Sequence, residues 1–247
     1  MNVGKYCLIS ERAMIADGVT IGDYVTIHDN VVIGEGSIIE SYCEIGVSNH
    51  LSNGEKIIIG KNSHIRSHSI FYEGSAFGDG LVTGHRVTVR EKTFAGTGFQ
   101  IGTLSDIQGH CKIGDYVRTH SNVHIGQHSV IGNYVWIFPY VVLTNDPTPP
   151  SNVMRGVTID DFGVVATMAV ILPGAYIAKG VLVGAHSCLS GKTEEDMIYT
   201  GNPAKSIGST SRLKLQDGSR KPAYPWRKHF HRGYPQHIVE EWMKEDL

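Results

Sequence analysis

Residues 15–27 read Ile15-Ala16-Asp17-Gly18-Val19-Thr20-Ile21-Gly22-Asp23-Tyr24-Val25-Thr26-Ile27, with an aliphatic residue at every sixth position and a valine two places before each of the last two. A helix repeats its apolar face every 3.6 residues and a half-buried strand every second residue, so neither produces a strict six. Working outward, the phase continues through Ile33, Ile39 and Ile45 to Leu51. After a slip it resumes at Ile59 and runs through Ile65, Phe71, Phe77 and onward to Ile137 and Leu143; after a second slip it covers Ile159 to Leu189. In the whole series only Thr83 and Thr119 are polar.

Such a period describes a solenoid, in which each repeat buries its anchor only against neighbouring repeats. Three hexapeptides make one triangular coil, and coils stack at a strand spacing of about 4.8 Å. Residues 18 apart then become vertical neighbours. Within a hexapeptide the fifth residue is small or β-branched (Val19, Val25, Val31, Cys43, Cys111), and the second is often Gly (Gly22, Gly34, Gly114, Gly126, Gly132). These small residues are read as the corners. The fold class is therefore all-β, a parallel β-helix. The expected organisation is an N-terminal cap at 1–14, the solenoid at 15–205 with loops at 52–58 and 144–158, and a C-terminal extension at 206–247. In the extension, 221–233 should be irregular. Residues 235–247 should form a short helix with Ile238, Trp242 and Met243 on one side, and Trp226, Phe230 and Trp242 should cap the open solenoid edge.

The chain has 247 residues with 22 Lys and Arg against 24 Asp and Glu, a formal charge of -2. That is not the basic footprint of a nucleic-acid binder. No apolar run approaches the roughly 18 residues needed to cross a bilayer, and the first residues lack a secretion signal; a cytoplasmic protein without membrane insertion is expected. Cys7, Cys43, Cys111 and Cys188 form no CxxC pair, so reduced thiols are expected.

Thirteen histidines are the other compositional feature. The register puts those of the coils outside the core: His28 and His120 at second positions, His85 at a third, His68, His110, His128 and His186 at fourth, His64 and His124 at sixth. His110 and His128 should stack about 5 Å apart, with Asp146 continuing the column and raising the pKa of the imidazoles.

Residues 15–190 resemble the hexapeptide motif of the left-handed β-helix acyltransferases. The phrase Tyr199-Thr200-Gly201-Asn202-Pro203-Ala204-Lys205 is similar to the ending of their coenzyme A dependent members, and Leu143-Thr144-Asn145-Asp146 to the opening of the acceptor loop in nucleotide-sugar N-acetyltransferases. The resemblance implies a left-handed coil, a homotrimer with active sites between subunits, and acyl-CoA (acetyl-CoA) as donor. Ala166, Thr167, Gly184 and Ala185 would lie along the pantetheine arm, with Lys192 or Lys205 at phosphate. Acceptor contacts are expected from Asn145, Asp146, His85, Tyr140 and Arg155. The related sugar O-acetyltransferases carry a histidine in the loop, whereas no histidine lies between His128 and His186 here; this favours an amine acceptor, in the first place a nucleotide-linked amino sugar for surface polysaccharide synthesis. His120 and Asn122 are expected at the reacting groups, followed by His110 and His124, and no metal is expected. Three alternatives stay open: a sugar O-acetyltransferase, a zinc hydratase like the gamma carbonic anhydrases using His85, His120 and His124, and a non-catalytic scaffold.

Overall fold

The computed structural model describes residues 2–244. The chain winds as a parallel β-solenoid of about 11 turns with three flat faces. Face A begins with Asn2–Val3, Thr20–Ile21 and Ile38–Ile39 and has 12 strands; face B begins with Leu8–Ile9 and has 10; face C begins with Met14–Ile15 and has 9. Most strands are only two residues long, the sixth residue of one hexapeptide facing out and the anchor of the next facing in. Registers such as Thr20↔Ile38 and Ile21↔Ile39 stack each anchor on the one 18 residues away.

The core follows from the period. Ile21, Ile27 and Ile33, with Val19, Val25 and Val31 at fifth positions, are at most 2% exposed. Each buried aliphatic side chain contributes roughly 1.5–3 kcal/mol against conformational entropy. The polar anchors Thr83 and Thr119 are also buried, on face A two coils apart. The Thr83 hydroxyl accepts from the Arg66 backbone N–H at 2.8 Å, which makes it tolerable inside.

The corners differ from the expectation. The fourth residue of each hexapeptide turns the chain, in the left-handed region: Tyr24 (φ 57°), His68 (61°), His110 (52°), Asn122 (58°) and Tyr140 (61°) are examples. Such a conformation costs a non-glycine residue roughly 1–2 kcal/mol, and stacking of successive corner side chains offsets it. Second-position glycines serve close approach instead. A Cβ on Gly22 would lie 2.5 Å from the Ser41 nitrogen of the coil above.

The segment 1–14 is not a separate cap. Val3 and Ile9 continue the six-residue period backward, and Asn2–Val3, Leu8–Ile9 and Met14–Ile15 pair with the next coil in full register. Leu51 is likewise no anchor: the ladder stops at Val47 and resumes at Ile57. The excursion between them is pinned from beneath by two buried carboxylates. Glu73 accepts from Ser52 Oγ (2.7 Å) and the Gly54 N–H (3.1 Å), and Glu91 from Asn49 Nδ2 (2.8 Å).

The C-terminal extension leaves from an antiparallel hairpin, Met197–Gly201 with Ala204–Ser209. It runs along the side of the solenoid, where Trp226, Tyr234, Ile238 and Trp242 pack on Phe162 and Val164. These aromatics therefore cover a flank rather than cap the open edge, because the corner column Tyr116, Tyr134, Phe162 offers a continuous aromatic surface. Arg118 clamps the extension: its guanidinium lies 4.8 Å from the Trp136 ring and 4.1 Å from that of Tyr234, and it donates to the Gly233 carbonyl at 2.7 Å. The helix is Gln236–Lys244, with Ile238 and Trp242 one turn apart against the flank. Met243, a further 100° round the helix, is exposed; residues 245–247 of the expected helix lie outside the described residues. No helix among the described residues is long and apolar enough to cross a membrane.

Candidate functional site

The corner between faces A and B gathers most of the residues singled out by sequence. Thr83, Thr119, Ile137, Val165 and Val183 occupy one ladder of face A, so the residues just after them share the corner. His85 sits low on it. His120 and Asn122 come two coils higher, Tyr140 next, then Ala166 and Thr167, then Gly184 and Ala185. From His120 to Gly184 is three rungs, about 14 Å at ~4.8 Å each.

At this corner the side chains become small and the hydrogen bonding changes. The third-position N–H often donates to a side-chain oxygen one coil up, as His85 does to Thr103 Oγ1 (3.2 Å) and Asp115 to Asn133 Oδ1 (2.8 Å). Ser121 and Thr167 face Pro139 and Ala185, which have no side-chain oxygen to offer. Like those of Ser41, Thr103 and Ala185 on the same corner, their N–H groups make no hydrogen bond among the described residues and are free to meet a ligand. By contrast, the N–H groups of Ala166 and Gly184 are spent in the ladder, on the Val183 and Tyr199 carbonyls at 2.9 and 2.8 Å. An extended arm can lie against Ala166 and Gly184 but not bond to their amides. The corner therefore offers an extended ligand its third-position amides rather than those of the ladder.

Histidines flank the corner on both sides. On face B, His124 Nδ1 lies 3.0 Å from Asp106 Oδ2, its vertical neighbour. Burial works to raise the Asp106 pKa, but His124 and Gln108 hydrogen bonds outweigh it and hold the carboxylate below its usual range. The pair fixes the His124 ring and leaves Nε2 as the acceptor. Asp106 is a residue that sequence reasoning missed, although the 18-residue spacing would have found it. On the face A side, His120 stacks on Phe138 at 4.8 Å, and burial lowers its pKa, so it is a neutral imidazole at neutral pH. It lines a cavity of about 430 Å³ closed by the C-terminal extension, with Trp136, Phe138, Trp226, Phe230 and Arg232 among its walls.

The other candidates lie elsewhere. His110 and His128 stack as expected, at 5.2 Å, but on the corner between faces B and C. The expected carboxylate beside them is absent from their contacts, and the pKa expectation is reversed. Burial, then the charges of His128 and Lys92, lower the His110 value. Asp146 turns into its own loop, accepting from Ser151 Oγ (2.6 Å), the Ser151 N–H (2.8 Å) and the Thr148 N–H (3.0 Å), because an Asp one residue ahead of Pro readily closes such a turn. The loop leaves and re-enters at the B/C corner, the Arg155 N–H donating to the Asn145 carbonyl at 2.7 Å. His85 belongs to a lower cluster with Ser67 Oγ at 2.9 Å and Glu40 at 3.9 Å. Lys192 bridges to Tyr176 on face C, and Lys205 lies in the terminal hairpin opposite Thr200. One chain thus keeps Asn145, Asp146 and Arg155 on a different edge from His120, Asn122 and Tyr140.

A family model described as bacterial transferase hexapeptide (six repeats) matches residues 1–34 and 12–46. Among solved structures, the Arabidopsis UDP-N-acetylglucosamine acyltransferase is 17% identical, with a TM-score of 0.70 over 82% of this chain and 72% of its own. That likeness establishes the fold. The Francisella novicida UDP-N-acetylglucosamine acyltransferase is also 17% identical, covering 96% of this chain and 76% of its own at a TM-score of 0.43. A serine acetyltransferase in complex with CoA is 25% identical over 42% of each chain, at a TM-score of 0.38.

Proposed function

On the premise that this chain is a hexapeptide-repeat solenoid, we propose that it is a cytoplasmic acyltransferase. It moves an acetyl group from coenzyme A to the amino group of a small polar acceptor, a nucleotide-linked amino sugar. The observation that carries this reading is the meeting, on the upper A/B corner, of the His124–Asp106 pair with the Ser121 and Thr167 N–H groups, which have no acceptor among the described residues.

Coenzyme A supplies the acyl group as a thioester. The corner amides hold the donor's carbonyl oxygens, and whichever amide meets the thioester oxygen stabilises the negative charge that grows there as the acceptor attacks. Asn122 and Tyr140 stand beside them on successive coils to orient the acceptor. His124, with Nδ1 held by Asp106, takes the acceptor's proton at Nε2 and gives it to the sulfur as the tetrahedral adduct collapses, so that the C–S bond breaks and coenzyme A leaves as the free thiol. His120, neutral on the other side of the corner, is a second acceptor for that proton. Asn145, Asp146 and Arg155 reach the same site only from a neighbouring subunit, which agrees with a homotrimer whose sites lie between copies.

The test is steady-state thiol release from acetyl-CoA with a panel of amino-sugar nucleotides. His124→Ala is expected to lower kcat/KM by about 10²-fold, and Asp106→Asn, which keeps the ring but loses the charge, by roughly 10-fold. Thiol release that requires no amine, or turnover unchanged in both His124→Ala and His120→Ala, would sink the assignment.

A further inference from the structure

The cavity beneath the C-terminal extension is not needed to explain an acyl-transfer corner, yet it opens beside it. One wall is a column of stacked aromatic rings. The His120 ring lies 17° from parallel with that of Phe138 at 4.8 Å, and Phe138 stacks with Trp136 at 6.0 Å. Its roof comes from Trp226 and Phe230 of the extension. The volume, about 430 Å³, is within the roughly 300–1,000 Å³ range of small-molecule sites.

Two features make it more than a packing defect. Trp226 is 8% exposed, and its indole N–H has no hydrogen-bond partner among the described residues. A buried donor without an acceptor is costly, and a ligand carbonyl would satisfy it. The segment that builds the roof also carries Arg220, Lys221, Arg227, Lys228 and Arg232 without an Asp or Glu between 220 and 233, in a chain whose net charge is -2. Among the described residues no carboxylate lines the cavity, and Arg232 stands at its wall.

Aromatic walls, a buried N–H donor and the Arg232 guanidinium together suit a planar heteroaromatic ring that bears carbonyl oxygens and an anionic substituent. We propose that the cavity is the subsite for the base of a nucleoside phosphate, which lies in the space bounded by His120, Phe138 and the aromatic side chains of the extension, beside the edge-to-face contact of Trp136 with Trp226 and Phe230, with its phosphate towards Arg232. The inference rests on the acyltransferase reading for its purpose: a base seated next to His120 places what hangs from its phosphate at the A/B corner, one residue from Ser121. Two nucleotides fit that chemistry, the acceptor's own and the adenosine phosphate of coenzyme A.

The experiment is titration of the full-length protein with no acyl donor present, followed by tryptophan emission and calorimetry. The probes are uridine 5′-monophosphate, adenosine 3′,5′-bisphosphate and octanoate. Saturable quenching by a nucleotide is expected. Trp226→Phe, which keeps the ring and removes the N–H, and Arg232→Gln should each weaken binding by roughly 3- to 10-fold. A response to the uridine compound places the acceptor's base in the cavity, and a response to the bisphosphate places the donor's. Binding of octanoate alone, no saturable response to either nucleotide, or nucleotide affinity indifferent to both variants would overturn the proposal. Because no acyl transfer is measured, its failure is separate from failure of the enzymatic reading.

Discussion

Two aromatic columns rise along this solenoid, and they have opposite fates. In the lower coils Tyr6, Tyr24, Tyr42 and His68 stack at the A/B corner with ring spacings of 5.0, 5.0 and 4.8 Å, the first three 73%, 48% and 52% exposed. In the upper coils Tyr116, Tyr134 and Phe162 stack at the C/A corner at 5.8 and 5.0 Å. Phe162 there is buried by Trp226 and Trp242. The repeat builds both columns by the same rule, a fourth-position residue in each coil. Covering decides what each does. The open column only offsets corner strain, whereas the covered one docks an extension that brings the 430 Å³ cavity with it.

The contrast can be broken most strongly from the covered side. Trp242→Ala removes a side chain that packs on Tyr134 and Phe162, and is expected to cost about 3–5 kcal/mol, read as a lower melting temperature and early proteolysis within 210–244. Tyr24→Ala, in the open column, should stay within about 1 kcal/mol. Equal losses would show that covering is irrelevant. Gly102→Ala sharpens the point for the functional corner: its Cβ would collide with the His120 carbonyl group of the next coil. A loss of about 1–3 kcal/mol is expected, with turnover falling as His120 shifts.

A smaller effect should appear with pH. Burial lowers the His120 pKa below its usual 6.5, so the folded state resists the proton more than the unfolded chain does. Its stabilising contribution is complete above pH 6.5 and is lost as pH falls through the lower folded value. His120→Phe keeps the stack on Phe138 and removes the titration. Its melting temperature should therefore fall less than that of the natural chain between pH 7 and pH 5, measured by scanning calorimetry.

How much of this could be read from sequence depends on whether a feature is periodic. The six-residue series names nearly every core residue, and its 18-residue consequence correctly stacks His110 on His128. The period extends below Ile15 to Ile9 and Val3, so the segment 1–14 is solenoid rather than cap. Features that depend on chain outside the repeat were hidden. Asp146 was extrapolated up a column, but the chain had already left the ladder, and the carboxylate closed its own turn instead. Trp226 and Trp242 were placed on the open edge because the pattern says nothing about which surface an extension prefers. The Ser121 and Thr167 donors were hidden for a subtler reason. A free N–H depends on where the side chain one coil above points as well as on whether it carries an oxygen: Thr103 has a serine above it and is still unbonded, as Ser121 is beneath Pro139.

That missing acceptor gives the most direct test of the account. Ala185→Thr supplies the side-chain oxygen that Thr103 supplies to His85, and would bond the Thr167 N–H within the fold. Calorimetric titration of acetyl-CoA into the natural chain and this variant should show micromolar binding to the first and at least ~10-fold weaker binding to the second. No binding to the natural chain, or equal affinity in both, would contradict an acyl-CoA site at the A/B corner.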